Sequence, residues 1–262
     1  MKSIIKYFVN NSTIIKNLIA VILYRMRLLP KEYEAKAKTL YLKKKYHKIF
    51  LSSKLEFNNE GFYFLNPMPS ENFLNEYYEK TYWQSRTDMN FPVRLRDIEH
   101  FNKITSSYNS FNSTPKKILN FGSGHGGVSY LFHAAKHEIY NYDFGSTKKN
   151  LFKDRWNDIQ SLDKIDFKFD LIYGSHSLEH VQNINNALDN FKKISKPETI
   201  YFFEVPNCSE QKVVQPPHTY YFTRKFFLNK FSKVDYCKTY LGSKEMKNEE
   251  GNVIRFHTRL SQ

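Results

Sequence analysis

Three glycines, Gly122, Gly124 and Gly126, stand in the stretch KKILNFGSGHGGVSYLF between a short apolar run and a helix-like one. Lacking β-carbons, they let a ligand come close to the backbone at a helix N-terminus, where unsatisfied N–H groups point outward. Asp143 follows 21 residues after Gly122, at the end of the run EIYNYD. An acid in that place can hydrogen-bond both hydroxyls of an adenosine ribose. Turn and acid together predict a nucleoside-binding unit; the competing reading is a tight turn with a solvated Asp. A further constellation lies in FDLIYGSHSLEHV, residues 169–181. Asp170, His176, Glu179 and His180 are expected at the carboxyl end of that strand, where ligands sit in open α/β sheets.

A neutral imidazole is the side chain best suited to take a proton near pH 7. His176, His180 and His218 are therefore the candidate bases. For each, the alternative is a hydrogen-bonded histidine that orders its loop. Tyr78, Tyr82 and Trp83 are aromatic groups that could close over a ligand, although aromatics at such spacing also build cores.

The elements that must position these residues alternate between strand and helix. Ile118 to Phe121, Glu138 to Tyr142, Phe169 to Tyr173 and Ile200 to Val205 read as apolar strands, and Val128 to Lys136 as a helix after the glycine turn. Ile184, Leu188, Phe191 and Ile194 have helical spacing. This alternation predicts a parallel sheet covered on both faces. After a helix at Thr223 to Phe231, strands Lys233 to Tyr240 and Val253 to Leu260 should pair antiparallel around the polar loop SKEMKNEEGN. The polar run SYNSFNSTP, residues 107–115, reads as a linker, residues 55–67 as a hairpin, and residues 1–50 as helical, with Tyr33, Ala37, Leu40 and Tyr41 on one stripe.

Length and composition bound the rest. The chain has 262 residues, 40% of them hydrophobic, and carries 23 Phe and 19 Tyr, too much apolar surface to stay disordered. Its net charge of +14 favours anionic partners. Part of that charge lies in KEYEAKAKTLYLKKKYHK, which reads as a solvated helix face or as a basic surface for an anionic membrane. Cys208 and Cys237 show neither CxxC spacing nor a histidine cluster, so neither a structural metal nor a disulfide framework is expected, which suits the cytoplasm. Only Leu18 to Tyr24 is uninterrupted and apolar, well short of the ~20 residues of a membrane span.

Gly122, Gly124 and Gly127 also satisfy the GxGxxG of nicotinamide-binding domains. FDLIYGSHSLEHV and the closing antiparallel hairpin point elsewhere. With the glycine turn and Asp143 they resemble the class I S-adenosylmethionine-dependent methyltransferases, over about residues 117–262. The resemblance implies an α/β, Rossmann-like, seven-stranded and mostly parallel sheet in a domain at 115–262, preceded by a mainly helical extension at 1–114. It implies cofactor contacts at Asn120, Gly122, Ser123, Gly124, Gly126, Asp143, Phe144, Asp158, Ile159, Ser175, His176 and Tyr82, with His218, and His180 second, as the groups acting on the acceptor. Asn120 departs from the family, which has a carboxylate there, so a catalytically inactive S-adenosylmethionine-binding homologue is the alternative. GFYFLNPMPSENFLNEYYEKTYW, residues 61–83, is similar to the region before the core in methyltransferases of sugar and polysaccharide biosynthesis. That similarity implies a small-molecule or sugar acceptor, nucleotide-linked or lipid-linked. RNA is a weaker alternative, since no RNA-binding module is recognisable.

Overall fold

The computed structural model describes Ile22 and residues 31–82, 93–143, 157–208, 213–247 and 250–260; for 31–37, 39 and 82 it describes the backbone alone. Phe144, Trp83 and nearly all of the first 30 residues, including Leu18 to Tyr24, lie outside this set. The elements are α1 (Lys31–Ser52), β1 (Lys54–Asn58), β2 (Phe62–Asn66), α2 (Glu71–Tyr77) with a π-helical turn (Tyr78–Tyr82), α3 (Leu95–Ser107), β3 (Lys117–Phe121), α4 (Gly127–Ala134) and β4 (Glu138–Tyr142). Then come β5 (Asn157–Ile159), β6 (Phe169–Ser175), α5 (Ile184–Lys193), β7 (Ser195–Pro206), β8 (Tyr220–Phe222), α6 (Arg224–Lys230), β9 (Tyr236–Leu241), β10 (Lys244–Met246) and β11 (Val253–Arg259).

The main sheet has the order β10-β9-β11-β7-β6-β3-β4-β5. β3 to β7 run parallel, and β11 enters antiparallel between β7 and β9. This is the expected Rossmann-like arrangement with its closing hairpin. It gains an eighth strand because the polar loop after β9 folds back as β10. β3 lies between β4 and β6, so the chain order reverses there, and a crevice opens at the carboxyl ends of the strands.

Alternation along the strands divides the core into two layers. Leu119, Phe121, Ile172, Tyr201, Phe203 and Val205 face α5 and α6. Ile118, Leu171, Tyr173, Ile200 and Phe202 face α3 and α4, through Ile104, Val128 and Phe132. α5 buries Ile184, Leu188 and Phe191 on one face and is capped by Asn183, whose side chain accepts from the Asn186 N–H. Burying each such side chain contributes on the order of 1.5–3 kcal/mol.

A third cluster joins the N-terminal elements to this core. Tyr46 and Phe50 of α1 pack with Leu65, Leu74, Tyr77, Tyr78 and Tyr221. β2 pairs with β8, so Phe62 stands opposite Phe222, and β1-β2 form the expected hairpin. In α1, Leu40 and Tyr41 are only half-buried; the closely packed face lies further along, at Tyr46 and Phe50. The polar run at 107–115 is not an extended linker. Tyr108 and Phe111 are buried because α3 ends there and these two rings drop into the second layer. Among the described residues no helix is long and apolar enough to cross a membrane.

Candidate functional site

The chain leaves β3 through a turn in which Gly122, Gly124 and Gly126 all have positive φ, at 73°, 57° and 78°. The N–H groups of Gly122 and Ser123 both donate to the Tyr142 carbonyl, and that of Gly124 donates to Asp143 Oδ2 at 2.7 Å. The acid after β4 therefore clasps the turn directly. Gly126 is the left-handed residue before α4 and has no side chain to cap it. A β-carbon on Gly122 would lie 2.3 Å from that of Ser177, so the loop after β6 crosses the turn at this glycine.

Asn120 is buried at the end of β3. Its Nδ2 donates to Ser129 Oγ at 2.8 Å, and Ser129 Oγ donates to Asn141 Oδ1 at 2.7 Å. The amide thus takes part in a short chain of hydrogen bonds under the turn.

Beyond Ser175 the loop bends at His176, whose φ is +51°. The His176 N–H donates to the Glu204 carbonyl, and its ring lies between two carboxylates, with Nδ1 3.3 Å from Glu179 Oε1 and Nε2 3.5 Å from Glu204 Oε1. Burial opposes charging of this ring, yet the two carboxylates outweigh it and raise the His176 pKa to about 9. Burial would raise Glu179, but the surrounding histidines hold it down at about 2. Burial lowers His180 to about 4 and also lowers His218. Both are neutral near pH 7.

Glu204, only 1% exposed, is the hub of this charge network. It accepts from His100 Nε2 at 2.8 Å and from Arg255 Nε and a terminal guanidinium nitrogen at 3.0 and 2.8 Å. Burial alone would raise its carboxyl; His100, His176 and Arg255 together hold it well below the usual range. His100 in turn hydrogen-bonds Tyr173 Oη.

His218 reaches the same place from another segment. Thr219 ties its loop down, its N–H and hydroxyl donating to the Glu179 carbonyl and its hydroxyl also to that of Val181. The His180 and His218 ring centres are 5.0 Å apart, and Tyr78 packs edge-on to His180 at 5.9 Å. Glu179, His180 and His218 each offer one ligand atom, all within 4.8 Å of one another.

A cavity of about 420 Å³ opens here, lined by Asn120, Gly122, Ser123, Gly124, Asp143, Ser175, His176, Glu179, His180 and His218 among others. These residues, singled out in the sequence, therefore converge. Gly126, Asp158 and Ile159 do not line it; the last two sit on β5, paired with Asn141 and Tyr142 of β4. Asp170 is at the other end of its strand, accepting from the Lys117 N–H and paired with Lys196, because it opens β6 rather than closing it. Tyr82 ends the π-helical turn whose first residue, Tyr78, supplies an aromatic wall. Sequence reasoning missed Arg94, Arg96, Asp97 and His125 as wall residues. The run RLRD, which caps and opens the amphipathic helix α3, was the signal for the first three.

A family model described as a methyltransferase domain matches residues 96–238. Among solved structures, magnesium protoporphyrin IX methyltransferase from Synechocystis with bound S-adenosylhomocysteine superposes with a TM-score of 0.51 at 13% identity, covering 73% of this chain and 100% of that one. The Burkholderia thailandensis 1,6-didemethyltoxoflavin-N1-methyltransferase, with bound 1,6-didemethyltoxoflavin and S-adenosylhomocysteine, gives 0.52 at 10% identity, covering 80% of this chain and 100% of that one. At such identities the likeness is one of fold. No match is found among curated protein sequences.

Proposed function

The chain belongs to the methyltransferase domain family, and from that premise we propose that it transfers a methyl group from S-adenosylmethionine to a small-molecule or sugar acceptor. The observation that carries this reading is the turn of three positive-φ glycines clasped by Asp143 at the mouth of the cavity. It offers a surface without β-carbons to the cofactor and a carboxylate to its ribose. Both neighbouring structures hold S-adenosylhomocysteine, the product such a transfer leaves. Asn120, Ser123, Ser175 and His176 would line the cofactor's amino-acid end. Phe144, Asp158 and Ile159 would flank its adenine, Gly126 would shape the turn, and Tyr82 would belong to the lid.

The sulfonium is already a good leaving group, so the protein's task is to bring the acceptor atom in line with the methyl carbon, about 3 Å away, and to exclude water. An acceptor hydroxyl must also lose a proton, and His218, with His180 beside it, stands across the cavity as a neutral base. GFYFLNPMPS and the +14 charge support a nucleotide-linked or lipid-linked sugar of surface polysaccharide or lipopolysaccharide synthesis, handled in the cytoplasm or at the membrane's inner face. Asn120, neutral where the family has an acid, favours a second reading, cofactor binding without turnover. The test is conversion of S-adenosylmethionine to S-adenosylhomocysteine by the purified protein with acceptor extracts. Binding without turnover supports the second reading. Absence of calorimetric heat with either compound sinks both.

A further inference from the structure

Glu179 is 1% exposed, yet neither of its carboxylate oxygens accepts a hydrogen bond among the described residues. Burying an ionised carboxylate without hydrogen bonds is costly. The His176 ion pair at 3.3 Å offsets part of that cost and leaves Glu179 facing two imidazoles, those of His180 and His218. One oxygen and two nitrogens form the donor set that suits zinc and similar borderline divalent ions, which take three protein ligands where a further position is kept for water or substrate.

The spacing fits. Tetrahedral ligands about 2.0–2.1 Å from an ion stand roughly 3.4 Å from one another. Here Glu179 Oε1 and His180 Nε2 are 3.8 Å apart, and all three ligand atoms lie within 4.8 Å. Contraction by up to about 1.4 Å closes the set. The supports are also present. Thr219 donates through its N–H and hydroxyl to the Glu179 carbonyl, fixing the His218 loop to the segment that carries the other two ligands, and Tyr78 packs edge-on against the His180 ring. The three residues line the cavity, so the remaining coordination position faces the space for the acceptor.

We propose that Glu179, His180 and His218 form a binding site for one divalent ion of the zinc class, whose open position takes an oxygen of the acceptor. The cysteine count suggested no metal, but this donor set uses none. The inference rests on the cavity being a methyl-transfer site and changes one part of that reading: with an ion bound, His180 and His218 would be ligands, and coordination would lower the pKa of the acceptor hydroxyl so that its proton passes to solvent before its oxygen takes the methyl group and the sulfonium sulfur leaves as the thioether of S-adenosylhomocysteine. His176 then keeps Glu204 as its partner.

The test uses untagged, chelator-treated full-length protein titrated with zinc chloride by calorimetry and with cobalt chloride by visible absorption, alongside the thermal shift produced by S-adenosylhomocysteine. One ion per chain is expected, with the visible bands of tetrahedral cobalt. Glu179→Gln and His218→Ala should each weaken binding by at least about tenfold, while His133→Ala leaves it unchanged. Wild-type protein that shifts with S-adenosylhomocysteine but shows no saturable ion binding overturns the metal site alone. Binding that survives both substitutions also overturns it. If Glu179→Gln fails to fold, the half-buried His218 decides. Loss of the S-adenosylhomocysteine shift in wild-type protein counts instead against the methyl-transfer reading.

Discussion

Gly122→Ala separates two reasons for a glycine at one position. Its φ of +73° is one reason, and the 2.3 Å approach of an added β-carbon to Ser177 Cβ is the other. Left-handed backbone costs Ala roughly 1–2 kcal/mol, and forcing a methyl into filled space costs a further ~1–3 kcal/mol. Their combined loss is about 3 kcal/mol, which in a chain of this size lowers the unfolding midpoint by roughly 6–12 °C. Ser177→Gly removes the struck atom and leaves φ untouched. The double variant should therefore recover the steric part, a coupling of about 1–3 kcal/mol in a double-mutant cycle followed by urea unfolding. Zero coupling would refute the idea that the loop after β6 dictates this glycine, and would leave the backbone conformation as its only requirement.

Asp143→Ala removes both the acceptor for the Gly124 N–H and the proposed ribose ligand, so S-adenosylhomocysteine affinity by calorimetry should drop at least about tenfold, as for a lost charge-assisted hydrogen bond. Glu204→Gln leaves the buried Arg255 guanidinium with only the more distant, partly exposed Glu99 as counter-charge and should cost up to about 3–5 kcal/mol in chemical unfolding; a loss under 1 kcal/mol would show that Glu99 and solvent suffice for the network. His100, His180 and His257 are lowered chiefly by burial, the last two to about 4. At these three groups the unfolded chain binds more protons than the native one below pH 6.5, so their contribution to stability, full above 6.5, should fall as pH drops toward 4, whereas that of His176, raised to about 9, is full below 6.5 and falls as pH rises toward 9. His257→Phe, which keeps the stack between Phe202 and Tyr236, should shallow that slope by one proton; an unchanged slope would place the titration elsewhere.

Local patterns showed themselves in the sequence where one residue type had one physical reason. The glycine turn, Asp143 and the histidines of SHSLEH were visible because spacing along one strand-turn-helix unit places them. The parallel sheet followed from runs such as LIY and IYFFEV, apolar at successive positions. Interactions between distant segments were not visible. His100 and Glu204 are 104 residues apart, and Glu204 interrupts an apolar strand without any local sign that Arg255 and two histidines would neutralise it. Tyr108 and Phe111 sit in a polar run, so composition concealed two core rings. Asp170 looked like part of the LEH cluster because it is near in sequence, but a seven-residue strand carries it to the opposite end of the sheet.

Asn120 is where sequence and structure meet most directly. Its Nδ2 donates to Ser129 Oγ, whose one proton goes to Asn141 Oδ1. Asn120→Asp puts an acceptor where a donor stood, so Ser129 can satisfy only one of its two neighbours, and the apo protein should lose about 1–3 kcal/mol. The new carboxylate would supply the charge that an ammonium-bearing cofactor favours, and at an effective dielectric near 20 a pair at 4 Å attracts by about 4 kcal/mol before desolvation is counted. The variant should therefore melt lower without ligand yet bind both S-adenosylmethionine and S-adenosylhomocysteine more tightly, since both carry the ammonium, with the factor for S-adenosylmethionine at least as large because its sulfonium adds a second positive charge. An unchanged affinity with lowered stability would mean that the end of β3 does not face the cofactor's amino-acid end, and the orientation assigned to the ligand in this cavity would have to be reversed.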